Sequence, residues 1–171
     1  MTDTPHFGVD PISVRVTLDW FAALRRGDIA TLWPLTDRDY RLALTQWWIT
    51  ANSGAESHPA AGGGGRDAVA LRISDGDHPL SVHLFRVLAR DLCASIADLE
   101  DLEVLTGEAA RPIGLDLEAV ALFVADDVPD GVFAPGAQAR ASTVAVRRLG
   151  DDRLVAGLNC VAVPGWPPTF L

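Results

Sequence analysis

The sequence predicts an α+β fold, with N-terminal helices packed on an antiparallel sheet. Three observations predict it. Up to Leu99 the apolar residues recur at helical spacing, i, i+3 or i+4 and i+7. After Leu99 come four strand-like runs, "LEVLTGEAA", "LDLEAVALFVAD", "AQARASTVAVRRL" and "RLVAGLNCVAV". The last two flank "GDD", Gly150 to Asp152, which reads as a hairpin turn. Helices first and strands afterwards is the order of an α+β chain rather than of alternating βα units.

The helices follow in chain order. Asp10 can cap a helix with Pro11 at its first position, where the missing N–H costs nothing. In "ISVRVTLDWFAALRR" the residues Val14, Leu18, Phe21 and Leu24/Arg25 share a helical face, widened by Trp20, and Gly27 is a good stop. Asp28 caps a short second helix, "IATLW", which Pro34 ends. Thr36 or Asp37 caps a third. Tyr40, Leu44, Trp47, Trp48 and Ala51 then form its apolar face, with Arg38, Arg41, Thr45 and Asn52 on the other side. A strand would send the adjacent Trp47 and Trp48 to opposite faces, whereas a helix sets both on one broad face.

Residues 52–66, with the run Gly62 to Gly65, read as a flexible loop. "GGGGRDAV" lacks the Lys-Ser/Thr of a phosphate loop. "AVALRI" is a strand or a helical turn. "LSVHLFRVLARDLCASIADL" is the clearest helix, with a core face of Leu80, Leu84, Phe85, Val87, Leu88, Leu92 and Ile96. In "STVAVRR", Val144 and Val146 alternate with Ala145 and Arg147, giving a buried and an exposed face. The tail "PGWPPTFL" is non-helical, and Trp166 is the residue to dock it.

Composition limits the function classes. A chain of 171 residues is long enough to bury a core and fits one domain over 1–171. With 49% hydrophobic and 22% charged residues it is globular in character. A net charge of −9 argues against nucleic acid and against an anionic membrane surface as partners. All 14 basic residues are arginine, so Schiff-base lysine chemistry is excluded. Cys93 and Cys160 lack Cys-x-x-Cys spacing, which excludes a metal knuckle; reduced thiols are expected, with a disulfide the alternative. No signal peptide and no membrane-length run is visible, so the expected place is the cytoplasm. No cofactor or metal is expected.

Two phrases, "FAALRRGDIATLWPLTDRDYR" and "STVAVRRLGDDRLVAGL", resemble the opening and closing parts of the nuclear-transport-factor-2-like, ketosteroid-isomerase-like superfamily. The middle of the chain lacks that resemblance. It implies a curved sheet wrapped around helices, a cone-shaped, cystatin-like roll with a deep cavity, and a homodimer through the open sheet face. Members of the superfamily are isomerases, cyclases, dehydratases or non-catalytic binders, and their catalytic carboxylates have no aligned counterpart here.

Candidate residues follow from chemistry. Trp20, Trp33, Trp47 and Trp48 either fill the core or line a pocket for a flat apolar molecule. Asp39 with Tyr40 is the residue pair of a proton-shuttling isomerase, although a carboxylate in a first helical turn is also explained by the dipole, and capping alone accounts for Asp37. His83 can act as a general base or serve as a structural residue, and Arg86 lies on the same helix. Arg86 and Arg90 flank Asp91 on what reads as a solvated, salt-bridged face. His58 and His78 lack metal spacing, and no Gly-x-Ser-x-Gly elbow exists. The expected ligand set is Trp20, Tyr40, Trp47, Trp48, His83 and Arg86. The expected role is binding an apolar small molecule, with acid–base catalysis or partner binding as alternatives.

Overall fold

A computed structural model describes residues 11–52, 65–96, 105–124, 136 and 140–171. The chain is α+β. Among the described residues five helices, α1 (Pro11–Arg26), α2 (Ile29–Leu32), α3 (Arg38–Ala51), α4 (Arg66–Ser74) and α5 (Ser81–Ala94), precede the strands. The strands are β1 (Leu105–Pro112), β2 (Leu117–Val124), β3 (Ala141–Leu149) and β4 (Asp152–Leu158), in an antiparallel meander ordered β1-β2-β3-β4. Helix α1 lies across the sheet, in contact with all four strands and with α2 and α5. Side chains on the sheet face beneath α1, among them Val120, Leu122, Val144, Val146 and Val155, are sealed in the core with Trp20, Phe21 and Leu24.

The expected caps form where their residues fall among those described. Asp28 accepts from the backbone N–H of Thr31, and Asp37 from that of Asp39. "AVALRI" belongs to helix α4, which starts after Gly65; of the expected loop at 52–66, Arg66 is therefore helical, and 53–64 lie outside the described residues. Helix α5 ends at Ala94, shorter than the expected run; Leu80 precedes it as the cap residue, and 97–99 lie outside the described residues.

Two expectations are corrected. The buried residues of α3 are Tyr40, Ala43, Leu44, Thr45, Gln46 and Ile49, so the inner face is rotated away from the expected one. Trp47 is 45% exposed and Ala51 is exposed, while Thr45 is buried. The reason is a second packing partner. Helix α3 also packs on α4 and on the chain after β4, and the Gln46 side-chain oxygen accepts from the Gly165 N–H at 2.9 Å. The second correction concerns the last strand, which is not continuous. It ends at Leu158, turns through Asn159 at φ 55°, and resumes as β5 (Ala162–Val163), which pairs with β6 (Thr169–Phe170). The tail is anchored by Trp166, as its sequence suggests. The Trp166 indole N–H donates to Asp67 and its ring lies under the Arg66 guanidinium, 4.5 Å from it.

Candidate functional site

The expected ligand residues do not converge. Trp20 and Tyr40 are each 1% exposed and belong to the core. The Trp20 indole N–H donates to the Thr36 hydroxyl at 2.9 Å, which in turn donates to the Leu32 carbonyl at 2.8 Å. That closed chain satisfies the buried indole without a ligand. Trp48 packs against the core from its edge, Trp47 faces outward, and His83 is exposed on α5. Burial, and to a smaller degree the neighbouring Cys160, push the Tyr40 phenol above its ordinary range, so it stays neutral.

Asp39 has a different engagement. It is exposed, while its neighbour Asp37 is buried, and both carboxylates face Arg147 of β3, Asp37 at 3.2 Å and Asp39 at 3.8 Å. Asp116 completes the set, accepting from the same guanidinium at 2.7 Å. Burial opposes the charge on Arg147, but the bond to Asp116 and the fields of Asp37 and Asp39 outweigh it and hold its pKa above normal. Capping therefore does not account fully for Asp37, which also joins α3 to the sheet. A second buried carboxylate, Glu118, accepts from the Ser13 hydroxyl at 2.6 Å and pairs with Arg148 at 3.5 Å. Buried carboxylates held by guanidinium groups in this way are ion pairs joining elements, not unpaired bases.

A concave feature among the described residues lies elsewhere. Helix α1 ends in "LRRGD". Gly27, at φ 63°, donates to the Leu24 carbonyl at 3.1 Å, and Asp28 N–H donates to the Ala23 carbonyl at 3.0 Å. These two bonds are the Schellman closure, which needs a left-handed residue at Gly27. The closure turns the chain sharply into α2 and leaves a corner. Helix α5 crosses that corner with Arg86, Ala89, Arg90 and Cys93 at i, i+3, i+4 and i+7, a single stripe. The Cys93 thiol donates to the Leu24 carbonyl at 3.5 Å and ties the two helices.

Between them is a cavity of about 410 Å³ lined by Leu24, Arg25, Arg26, Gly27, Ile29, Arg86, Ala89, Arg90 and Cys93. No family model matches the chain, no curated protein matches it in sequence, and no solved structure matches its fold. The cavity is therefore read from its own residues.

Leu24 and Ala89 are buried and form an apolar floor with Ile29 and Cys93; the four lining arginines are exposed. Arg86 is the one expected ligand residue that reaches it. The others were missed because "LRR" at a helix end reads as dipole complementation, and Arg86 with Arg90 as a solvated face. Arg90 pairs with Asp91 at 3.3 Å as that reading has it, whereas Arg86 is exposed but has no ion pair among the described residues.

Proposed function

We propose that this protein binds a small molecule without chemistry of its own, and that the site is the cavity between the α1–α2 corner and α5. The carrying observation is that cavity: about 410 Å³ with a floor of Leu24, Ile29, Ala89 and Cys93. That volume lies in the range of small-molecule sites, roughly 300–1,000 Å³, and an apolar floor with a few polar groups is their usual composition. The helix-first order and the antiparallel meander support a cone-shaped roll of the nuclear-transport-factor-2-like kind. On this reading the ligand sits at the helical end rather than between helices and sheet, where Trp20 and Tyr40 are packed. Acid–base catalysis has less support, because Asp39 serves Arg147 and Tyr40 is sealed from solvent.

The test uses Cys93, a cysteine outside any disulfide that lines the cavity. A panel of small molecules of varied charge and shape is screened by thermal shift on a Cys160→Ser variant, before and after its remaining cysteine, Cys93, is alkylated with N-ethylmaleimide. Binding that alkylation abolishes supports the site. A panel in which every member leaves the melting temperature unmoved overturns it.

A second reading has its own observation. On the sheet face away from α1, Ala119, Ala121 and Phe123 are only half-buried, and Thr143 beside them is exposed. This supports a homodimer through that face. Sedimentation giving a monomer at micromolar concentration removes it.

A further inference from the structure

We infer that the cavity at the α1–α2 corner takes a small organic anion, a carboxylate or phosphate ester with an apolar body. The inference deepens the small-molecule reading above and rests on it. Its basis is the concentration of one charge sign. Four of the nine lining residues are arginine and none is acidic, on a chain whose net charge is −9.

The negative end of α1 accounts for part of this arrangement. Arg25 and Arg26 sit in its last turn, where cations are favoured. It does not account for α5. Arg86 and Arg90 lie one turn apart on a single stripe, a like-charge spacing that destabilises a helix. They line the same cavity as the Arg25–Arg26 doublet.

Among the described residues, the nearby acids leave two of these arginines, Arg26 and Arg86, without an ion pair. Asp91 takes Arg90. Asp28 lies beside Arg26, but its carboxylate is engaged with Thr31; that bond, and to a smaller degree the charge of Arg26, keep its pKa low. Arg26 and Arg86 have no ion-pair partner among the described residues. An anion seated between them relieves the mutual repulsion and gains charge-assisted hydrogen bonds, which guanidinium groups form with carboxylate and phosphate in paired geometry. The floor of Leu24, Ile29, Ala89 and Cys93 sets the other requirement. It offers nothing to a second charge and favours an apolar body next to the anionic head.

The experiment reads the rate at which iodoacetamide alkylates Cys93, by peptide mapping of the whole chain, with Cys160 as the internal reference. The probes are octyl phosphate, octanoate, octanol and inorganic phosphate. Octyl phosphate and octanoate are expected to protect Cys93 saturably, at concentrations at least about tenfold below octanol. Arg26→Gln and Arg86→Gln are each expected to weaken that protection about tenfold and to leave octanol unchanged. Both arginines are exposed, so the variants keep the fold, as far-UV circular dichroism will show. Equal protection by octanol and octyl phosphate overturns the anion inference while the pocket reading stands. Protection by inorganic phosphate as strong as by octyl phosphate overturns the apolar-body requirement. Failure of all four probes overturns the inference together with the pocket reading.

Discussion

Trp20 and Trp47 show how the same side chain takes opposite roles. Trp20 is 1% exposed, hydrogen-bonded and central to the core, whereas Trp47 is 45% exposed. Trp20→Ala is expected to cost about 3–5 kcal/mol in urea unfolding, from lost burial and the cavity left behind. Trp47→Ala should stay within about 0.5 kcal/mol, as a surface substitution does. Tyr40 gives a prediction in pH. It is the single tyrosine of the chain, and burial raises its pKa above the ordinary phenol value of about 10. Above pH 10 the unfolded chain ionises its phenol and the folded chain does not. A raised folded-state pKa contributes stability that is complete below the unfolded pKa and is lost as pH rises beyond it. Burial raises Cys160 in the same direction and adds to the loss from pH 9 upward. Tyr40→Phe should flatten the fall in melting temperature above pH 10, and the absorbance rise of phenolate near 295 nm should accompany unfolding in the parent protein.

Among the elements, β4 carries the sharpest constraint. A Cβ placed on Gly157 would lie 2.0 Å from the Cys160 carbonyl oxygen. The backbone after β4 folds directly over that position, and Asn159 holds the turn through its side-chain oxygen, which accepts from the Thr143 N–H at 2.8 Å. Gly157→Ala must therefore displace backbone rather than a flexible side chain. It is expected to cost at least about 2 kcal/mol, read as a lower urea midpoint with unchanged slope. The helices were largely legible in sequence because caps and glycine stops are local chemistry. Asp28, Asp37 and Gly27 act on backbone groups within three or four residues of themselves. The face of α3 was not legible. Thr45 and Gln46 are buried by α4 and by the tail around Gly165, and no periodicity within α3 records a partner more than 100 residues away.

At the scale of the whole molecule, Arg147 joins the helical and sheet parts. Its guanidinium holds Asp37 and Asp39 at the start of α3 and Asp116 in the turn before β2. Removing it leaves Asp37, whose side chain is 4% exposed, without its ion-pair partner and with only the field of Arg41 to oppose its charge. Arg147→Met is expected to destabilise by about 3 kcal/mol, the lower end for a broken buried pair, because the arginine itself is 20% exposed. Arg147→Lys keeps the charge but not the planar fork, and should lie between the two. A loss under about 0.5 kcal/mol for Arg147→Met would mark the cluster as a solvated surface set.

The sequence by itself determined the α+β class, the caps at Asp28 and Asp37 and the order of the meander. Each rests on spacing or on chemistry within one element or turn, and 3.6-residue and two-residue periods are visible in a linear chain. Tertiary structure decided which tryptophans are sealed, that Asp37 and Glu118 are compensated by Arg147 and Arg148, and that Arg25, Arg26, Arg86 and Arg90 share one cavity. The physical reason is distance along the chain. Arg26 and Arg86 are separated by 60 positions, and only the crossing of α5 over the Gly27 corner brings both to the lining of one cavity.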